Sequence, residues 1–358
     1  MQVIEFRQAQ VACAGTARHA SLRDAGALIG RAARLFVARA TVLMLTFVST
    51  SCSAPSLLIT PVSPNRELVE TRLSSDSWLA RDKVALVDVS GVLMNAHQPK
   101  LLSQGEHPVS MLLEQLDKAR CDPAVKAVIL RINSPGGTVV ASELIHDEIM
   151  HFRRGGKPVV AVMMDVAASG GYYIACAADE IIAQPSTVTG SIGVIMQMFN
   201  LTGSLEKLGV GTDAITSGVH KDTGSPLRPM RPEERAIFQG IVDDMYERFI
   251  DVVVAGRPKL DEAAVRRLAD GRVYTAGQAL DAGLIDRIAT MREAVESAKR
   301  HAGARHVRLV TYHRPLAYRP NYYAETPTPS SGEVNLLRID LPDWLRDSTP
   351  RFMYLWTP

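Results

Sequence analysis

Three segments of the chain consist almost entirely of aliphatic and β-branched residues: residues 83–93 (KVALVDVSGVL), 125–133 (VKAVILRIN) and 157–167 (KPVVAVMMDVA). Such continuous apolar runs are typical of strands that are covered on both faces of a sheet. The segments between them, residues 109–119 and 142–152, carry apolar residues at helical spacing. This alternation of strands and helices predicts an α/β domain with a mostly parallel sheet.

A longer helical pattern follows at residues 233–257, where apolar residues recur every four positions on one face: Ile237, Ile241, Met245, Phe249 and Val253. We expect this helix to face the core or a second subunit. After Tyr312 the chain is rich in Pro, Tyr and Trp and has no clear periodicity. This segment is interpreted as a loosely ordered tail or an arm that contacts another subunit.

The first 52 residues have the pattern of an export leader. Arginines at positions 31, 34 and 39 precede the apolar stretch 40–48, and small residues then lead to Cys52. A cysteine in that position is similar to a bacterial lipoprotein signal, in which Cys52 would be acylated and become the mature N-terminus. Simple cleavage, or an uncleaved anchor over residues 35–48, is the alternative. Each version predicts membrane attachment or secretion, with the body of the protein outside the cytoplasm.

Domain organisation is predicted from composition along the remaining chain. Residues 53–82 are rich in Pro, Ser and polar residues and are expected to form a tether. Residues 83–302 contain the alternating strands and helices and are expected to form the globular domain. Residues 303–358 are then a C-terminal extension.

The composition mainly excludes certain partners and kinds of site. The chain has 358 residues, of which 46% are hydrophobic, so it is long and apolar enough to bury a substantial core. Its net charge of +2 gives no indication of a nucleic-acid partner. The four cysteines have no CxxC or metal-ligand spacing, so neither a disulfide framework nor a metal site is predicted. Cys176 lies in an apolar run and is interpreted as a small buried hydrophobe.

Two glycine-bearing loops follow neighbouring predicted strands, NSPGG at residues 133–137 and ASGG at residues 168–171. In open α/β sheets, ligands bind beyond the carboxyl ends of the strands. Glycine amides at such positions can point at a carbonyl oxygen, although an ordinary strand-to-helix turn has the same composition. Ser169 is therefore either a helix N-cap or a nucleophile.

A nucleophilic serine requires a base, and no histidine occurs between His151 and His220. A Ser-His-Asp triad with a histidine shortly after the serine is thus unavailable, while His220 stays possible. Its neighbour Lys221 follows the strand-like segment 210–216 in a loop of small residues. Lysine acts as a base only when burial lowers its pKa from about 10.4, and an isolated lysine is more often a solvated surface residue.

Six motifs occur in one order between residues 83 and 299: RINSPGG, AASGGYYIACAAD, TVTGSIGV, SGVHKD, SPLRPM and DGRVYTAGQALDAGLID. Together they resemble the signal peptide peptidase A family of Ser-Lys proteases. The resemblance implies a Clp-protease and crotonase type of fold, a β-β-α superhelix. It also implies that Ser169 is the nucleophile, Lys221 the general base and Ser191 the residue that orients the lysine. The oxyanion donors implied are Gly136, Gly137 and Gly170.

The resemblance further implies a homo-oligomer at a membrane, in which serine and lysine of one active centre come from adjacent subunits. Its expected substrates are cleaved signal peptides or other unfolded apolar polypeptides, and no cofactor is expected. Two other functions stay open at this point. One is a catalytically silent scaffold of the same fold that binds peptides, and the other is a crotonase-like enzyme that acts on acyl-CoA.

Overall fold

The computed structural model describes residues 67–95, 107–314 and 352–357, and a nine-stranded sheet forms the centre of this part of the chain. The strands of both sheets are β1 (Val69–Ser75), β2 (Asp82–Ser90), β3 (Val125–Ser134), β4 (Gly136–Thr138), β5 (Val159–Ala168), β6 (Glu180–Ala183), β7 (Val188–Gly190), β8 (Ile195–Met196), β9 (Val273–Thr275), β10 (Arg287–Ile288), β11 (Val307–His313) and β12 (Phe352–Leu355). The helices are α1 (Pro108–Cys121), α2 (Val139–Arg154), α3 (Gly170–Ala175), α4 (Thr202–Lys207), α5 (Pro232–Gly256), α6 (Glu262–Leu268), α7 (Ala276–Asp281) and α8 (Met291–His301).

The three predicted apolar strands are confirmed as β2, β3 and β5, and they lie side by side and parallel in the middle of the sheet. The order along the sheet is β1-β11-β2-β3-β5-β6-β10, and β7 and β9 extend it beside the end of β5. Successive residues of β2 point to opposite faces, so Val87 enters one apolar cluster and Leu86 the other. Burial on both faces explains the continuous apolar runs.

Both helices predicted between these strands are confirmed as α1 and α2. The hydroxyl of Thr138 caps α2 by accepting from the backbone N–H of Ala141 at 3.4 Å. Helices α1 and α2 cover one face of the sheet, and α8 covers the other with Met291 and neighbouring alanines. Cys176 is buried as predicted, and burial raises the pKa of its thiol to about 12.

Two segments outside the expected globular domain add strands to its sheet. Residues 69–75, expected in the tether, form β1, which pairs antiparallel with β11. Strand β11 itself lies in the expected C-terminal extension and pairs parallel with β2. Strand β1 lies at the sheet edge and has no buried residue, so its sequence, VETRLSS, is mostly polar and lacks the continuous apolar run of the central strands.

Helix α5 divides the predicted apolar stripe into two halves. Phe249 and Val253, near its C-terminal end, are buried against the core, whereas Ile237 and Ile241, near its start, are exposed. The core-facing interpretation therefore holds only for the second half. The apolar stretch 40–48 and Cys52 lie outside the described residues, and in the part of the chain that is described no helix has the length and apolarity needed to cross a membrane.

Candidate active site

Ser169 occupies the junction between β5 and α3, at the carboxyl end of the central sheet. Its φ of 52° and ψ of −116° lie in a region that non-glycine residues rarely adopt, at a cost of about 1–3 kcal/mol. The backbone enforces this geometry, because the N–H of Ser169 donates to the carbonyl of Gly190 at 2.7 Å. The side chain is 1% exposed and does not cap α3, so the hydroxyl is not used for helix capping.

The two glycine-bearing loops, which follow neighbouring strands of the sheet, lie against each other. A Cβ atom on Gly136 would stand 2.7 Å from the amide nitrogen of Gly170, and one on Gly170 would stand 3.2 Å from the Cα of Gly136. Gly136 also has a φ of +104°, which strains any other residue. Only glycines allow this approach, and it places the Gly170 amide next to the NSPGG loop.

Ser134 holds the NSPGG loop in place, a role that the sequence did not reveal because Ser134 has the composition of an ordinary turn residue. Its hydroxyl donates to the carbonyl of Gly91 at 2.6 Å and accepts from the N–H of Gly136 at 3.1 Å. The Gly136 amide is therefore already used by a side chain. Of the three predicted oxyanion donors, only Gly136 donates its amide to Ser134; the amides of Gly137 and Gly170 are not bonded to that hydroxyl.

Ser191 lies beside Ser169 because the strands that precede them are paired. Ala168 at the end of β5 is in register with Gly190 at the end of β7, and each serine is the next residue. Ser191 also has a positive φ of 50°, and its N–H donates to the carbonyl of Arg272 at 2.8 Å. The structure thus brings Ser169, Ser191 and the glycine loops together at one sheet end.

Lys221 lies elsewhere, in an exposed turn that follows an irregular segment. The strand expected at residues 210–216 was wrong: the segment has no pairing partner, and its apolar residues Val210 and Ile215 are exposed. The backbone N–H of Lys221 donates to the carbonyl of Gly218 at 3.0 Å. Its ammonium group has no hydrogen bond or ion pair with any described residue, so a single chain does not join Lys221 to Ser169.

A network of charged side chains fixes the turn that carries Lys221 to the start of α5. Arg228 donates to Asp222 at 2.6 Å and to Glu234 at 3.0 Å, and Arg231 reaches Asp222 at 3.3 Å. Arg228 holds the pKa of the Glu234 carboxyl well below its ordinary value, and it also lowers the pKa of Asp222. The sequence indicated only the SPLRPM motif as part of a family pattern; the partners of Arg228 required the tertiary structure.

The strand β12 passes directly along the glycine loops. It pairs antiparallel with β4 on one side and with β8 on the other, and the N–H of Trp356 donates to the carbonyl of Pro135 at 2.9 Å. The carbonyl oxygen of Tyr354 lies so close to Gly136 that a Cβ atom there would clash with it, and it would stand 3.1 Å from a Cβ on Gly170. An extended polypeptide thus already lies at the predicted oxyanion loops.

Comparison with known proteins agrees with this geometry. The sequence pattern of the family described as Clp protease matches residues 87–190, which include both glycine loops, Ser169 and β7. The pattern described as Peptidase family S49 matches residues 151–305, which include Ser169, Ser191 and Lys221. The Clp-protease-like, mostly parallel α/β fold predicted from the sequence is confirmed, and it defines the class of peptidases to which such a site belongs.

Individual relatives narrow the class to one family. A protein of Enterococcus faecium whose name describes a signal peptide peptidase, SppA, is 37% identical over 248 residues, which cover 69% of this chain and 71% of the relative. A protein of Synechocystis named as a protease is 39% identical over 62% of this chain and 76% of the relative. Protease 4 of Haemophilus influenzae is 37% identical, but the match covers only 34% of its length. The chain belongs to Peptidase family S49.

Proposed function

We propose that this chain is a serine endopeptidase with a Ser-Lys dyad, in which Ser169 attacks the substrate carbonyl and Lys221 is the general base. The observation that carries the proposal is the conformation of Ser169. A buried serine, held at positive φ by a backbone hydrogen bond and adjoining the Gly170 amide, is arranged as a nucleophile beside its oxyanion donor.

The proposed reaction uses this arrangement in sequence. Neutral Lys221 takes the hydroxyl proton of Ser169 as its oxygen bonds to the peptide carbonyl carbon, and the amides of Gly137 and Gly170 stabilise the oxyanion. The ammonium then protonates the leaving amine, which departs and leaves an acyl-enzyme. Water attacks this ester with Lys221 again as base, releasing the acid and restoring Ser169. Ser191 orients the lysine amine.

A second copy of the chain is proposed to supply the lysine. Lys221 lies in a region, residues 195–241, whose surface is unusually apolar; exposed there are Leu208, Val210, Ile215, Val219, Ile237 and Ile241. A concentration of exposed large apolar side chains in one region is typical of protein interfaces. Docking a neighbouring subunit there would bury Lys221 and place it at a serine of that neighbour, as expected for a homo-oligomer with shared sites.

The proposed substrates are signal-peptide remnants or other unfolded apolar polypeptides outside the cytoplasm, since one relative carries the name signal peptide peptidase. Attachment to the membrane through the leader, by lipid on Cys52 or by an anchor, is part of this proposal. Mass spectrometry of the mature N-terminus is expected to show an acylated Cys52 or an intact leader. A mature chain that begins elsewhere and carries no lipid would contradict membrane attachment.

The dyad is tested with the purified full-length protein and an apolar fluorogenic peptide. Ser169→Ala and Lys221→Ala are each expected to lower kcat by at least about three orders of magnitude, because each removes a group that acts in the reaction. Lys259→Ala, which removes an exposed lysine outside residues 195–241, is the matched control and should keep the parent activity. Cleavage by both active-site variants at the parent rate would refute the dyad, whereas a parent protein that cleaves no peptide would favour the scaffold or acyl-CoA alternatives.

A further inference from the structure

We propose that the turn at Trp78 and Leu79, together with the arginines around it, docks the folded domain on the surface of an anionic phospholipid membrane. The turn connects β1 to β2 at the amino end of the central parallel strands, whereas Ser169 follows β5 at their carboxyl end. The inference does not depend on the proposed dyad. It adds a contact made by the folded domain to the membrane attachment proposed for the leader.

Hydrogen bonds fix the backbone of this turn while its two apolar side chains stay in solvent. The N–H of Ala80 donates to the carbonyl of Ser77 at 3.2 Å, so Trp78 and Leu79 are the two central residues of a β-turn. The hydroxyl of Ser77 accepts from the N–H of Leu79 at 3.2 Å. Trp78 is 91% exposed and Leu79 is 63% exposed, while Ala80 is buried. The central positions of turns usually carry polar residues, proline or glycine, so an exposed Trp-Leu pair there points to a binding role.

The base of the turn is tied to the neighbouring loop, which leads from α8 to β11. The N–H of Asp76 donates to the carbonyl of Val307 at 3.3 Å, and the Asp76 carboxylate accepts from the N–H of Val307 at 3.0 Å. Lys299 forms an ion pair with the same carboxylate at 2.6 Å. These contacts hold the turn at the end of the sheet, where Trp78 projects from the domain.

Arginines lie beside the apolar pair. Arg81 follows the turn and is exposed, and Arg305 is exposed in the neighbouring loop. Arg308, in β11 between β1 and β2, donates to the carbonyl of Arg81 at 3.3 Å. None of these three arginines forms an ion pair with a described residue, and the Asp76 carboxylate is already paired. Asp82 is the other described carboxylate of residues 76–83 and 302–308, so this end of the sheet is locally positive.

A lipid surface fits this combination better than a protein partner. At a membrane interface, tryptophan rings lie among the headgroups, and basic side chains are attracted to anionic lipids. Two apolar side chains are too few for a stable protein interface, which needs about 800 Å² from each partner. A two-fold contact with a second copy would also bring the same arginines against each other. Docking at this end would hold Ser169, about 30 Å away along the strands, at a distance from the lipid surface.

Contact is tested with the full-length protein and vesicles of brominated phospholipids, which quench tryptophan fluorescence at short range. The chain has three tryptophans, so the signal of Trp78 is the difference between the parent and Trp78→Phe. We expect vesicles that contain phosphatidylglycerol to quench this difference signal, and about 1 M salt to abolish the quenching by screening the charges. Absence of quenching, or equal quenching on pure phosphatidylcholine vesicles, would overturn the proposal.

The arginines are tested with the same signal. Arg81→Gln is expected to lower the ratio of quenched to unquenched Trp78 about fivefold at a fixed lipid concentration, the effect expected for one charge near the lipid surface. Arg267→Gln, which removes an exposed arginine of α6, is the matched control and should keep the parent ratio. An unchanged ratio in Arg81→Gln would contradict the role of the arginines.

A protein partner is tested without lipid. If Trp78→Ser dissociates an oligomer of the purified parent, as measured by sedimentation, the turn is a subunit contact and the lipid proposal fails. We expect the oligomeric state to stay unchanged. No cleavage is measured in any of these experiments, so their outcome is independent of whether the endopeptidase proposal holds.

Discussion

Ser169 and its glycine loops lie at the buried end of the central sheet, whereas Lys221 lies in an exposed turn that charged side chains connect to α5. Around Ser169, strand pairing and backbone contacts set every position, and strained φ values are kept because the surrounding packing leaves no alternative. Around Lys221, four ionised groups connect the turn to the start of α5. The comparison teaches that one half of the proposed site is preorganised within a single chain, whereas the other half is not joined to it by any contact among the described residues.

The largest effect on kcat/KM among these substitutions is expected at Gly136, where backbone packing is tightest. Gly136→Ala should lower kcat/KM by about a hundredfold or more, because its Cβ would displace the Gly170 amide and misplace the oxyanion site. The matched control is Gly156→Ala, which has a similar positive φ of +84° but open space around it. In both variants the strain of a positive φ lowers the free energy of unfolding by about 1–2 kcal/mol. Equal activity of the two variants would show that close packing at Gly136 does not matter.

A smaller effect is expected when the Ser134 hydroxyl, which holds the same loop, is removed. Ser134→Ala leaves the Gly136 amide and the Gly91 carbonyl without their buried partner, which should lower the free energy of unfolding by about 1–3 kcal/mol. Denaturant unfolding measures this loss, and kcat should fall because the loop relaxes. Ser204→Ala, in the exposed helix α4, is the control. Unchanged stability of Ser134→Ala would contradict the holding role.

On the Lys221 side, the expected effect depends on pH. Arg228 lowers the pKa of the buried Glu234 carboxyl, so this carboxylate stabilises the fold at pH values above its ordinary pKa of 4.5, and the contribution fades as pH falls below that value toward the lowered pKa. Glu234→Gln should therefore lower Tm at pH 7, and the difference from the parent should shrink at pH 3. A difference that grows on acidification would contradict the ion-pair assignment. Glu233→Gln, with an exposed carboxylate, is the control.

The smallest effect on stability is expected for Lys221 itself. Because its side chain is exposed and contacts no described partner, Lys221→Ala should change the free energy of unfolding of the dissociated chain by less than about 0.5 kcal/mol, while activity is lost. Urea unfolding at a concentration where the protein is monomeric makes the measurement. A loss well above that value would mean that Lys221 already packs within its own chain.

The central strands could be predicted because parallel strands buried on both faces leave long apolar runs in the sequence. The edge strand β1 could not be distinguished from a tether by the same argument, since five of its seven residues are polar. Strand β12 had still less local signal: its partners are two and three residues long, and its register depends on the glycine loops rather than on its own pattern.

The residues of the proposed site were predicted unequally for the same physical reason. Resemblance indicated Ser169, Ser191 and the glycines, and the fold brings these together because they follow adjacent strand ends. It indicated Lys221 as well, but that side chain is exposed, and no contact among the described residues joins it to Ser169. The ion pairs of Arg228 and the position of Tyr354 beside the glycine loops were missed. Both are contacts between segments far apart in the sequence, and such contacts produce no periodic pattern of residues.

Subunit sharing is tested most directly by combining the two inactive variants in one assembly. Ser169→Ala and Lys221→Ala chains carrying different tags would be co-expressed, purified through both tags and assayed with the apolar peptide. If serine and lysine come from neighbouring copies, about a quarter of the sites in a random equal mixture combine an intact serine with an intact lysine, and about that share of the parent activity returns. Mixed assemblies that stay as inactive as either variant alone would contradict a dyad formed between subunits.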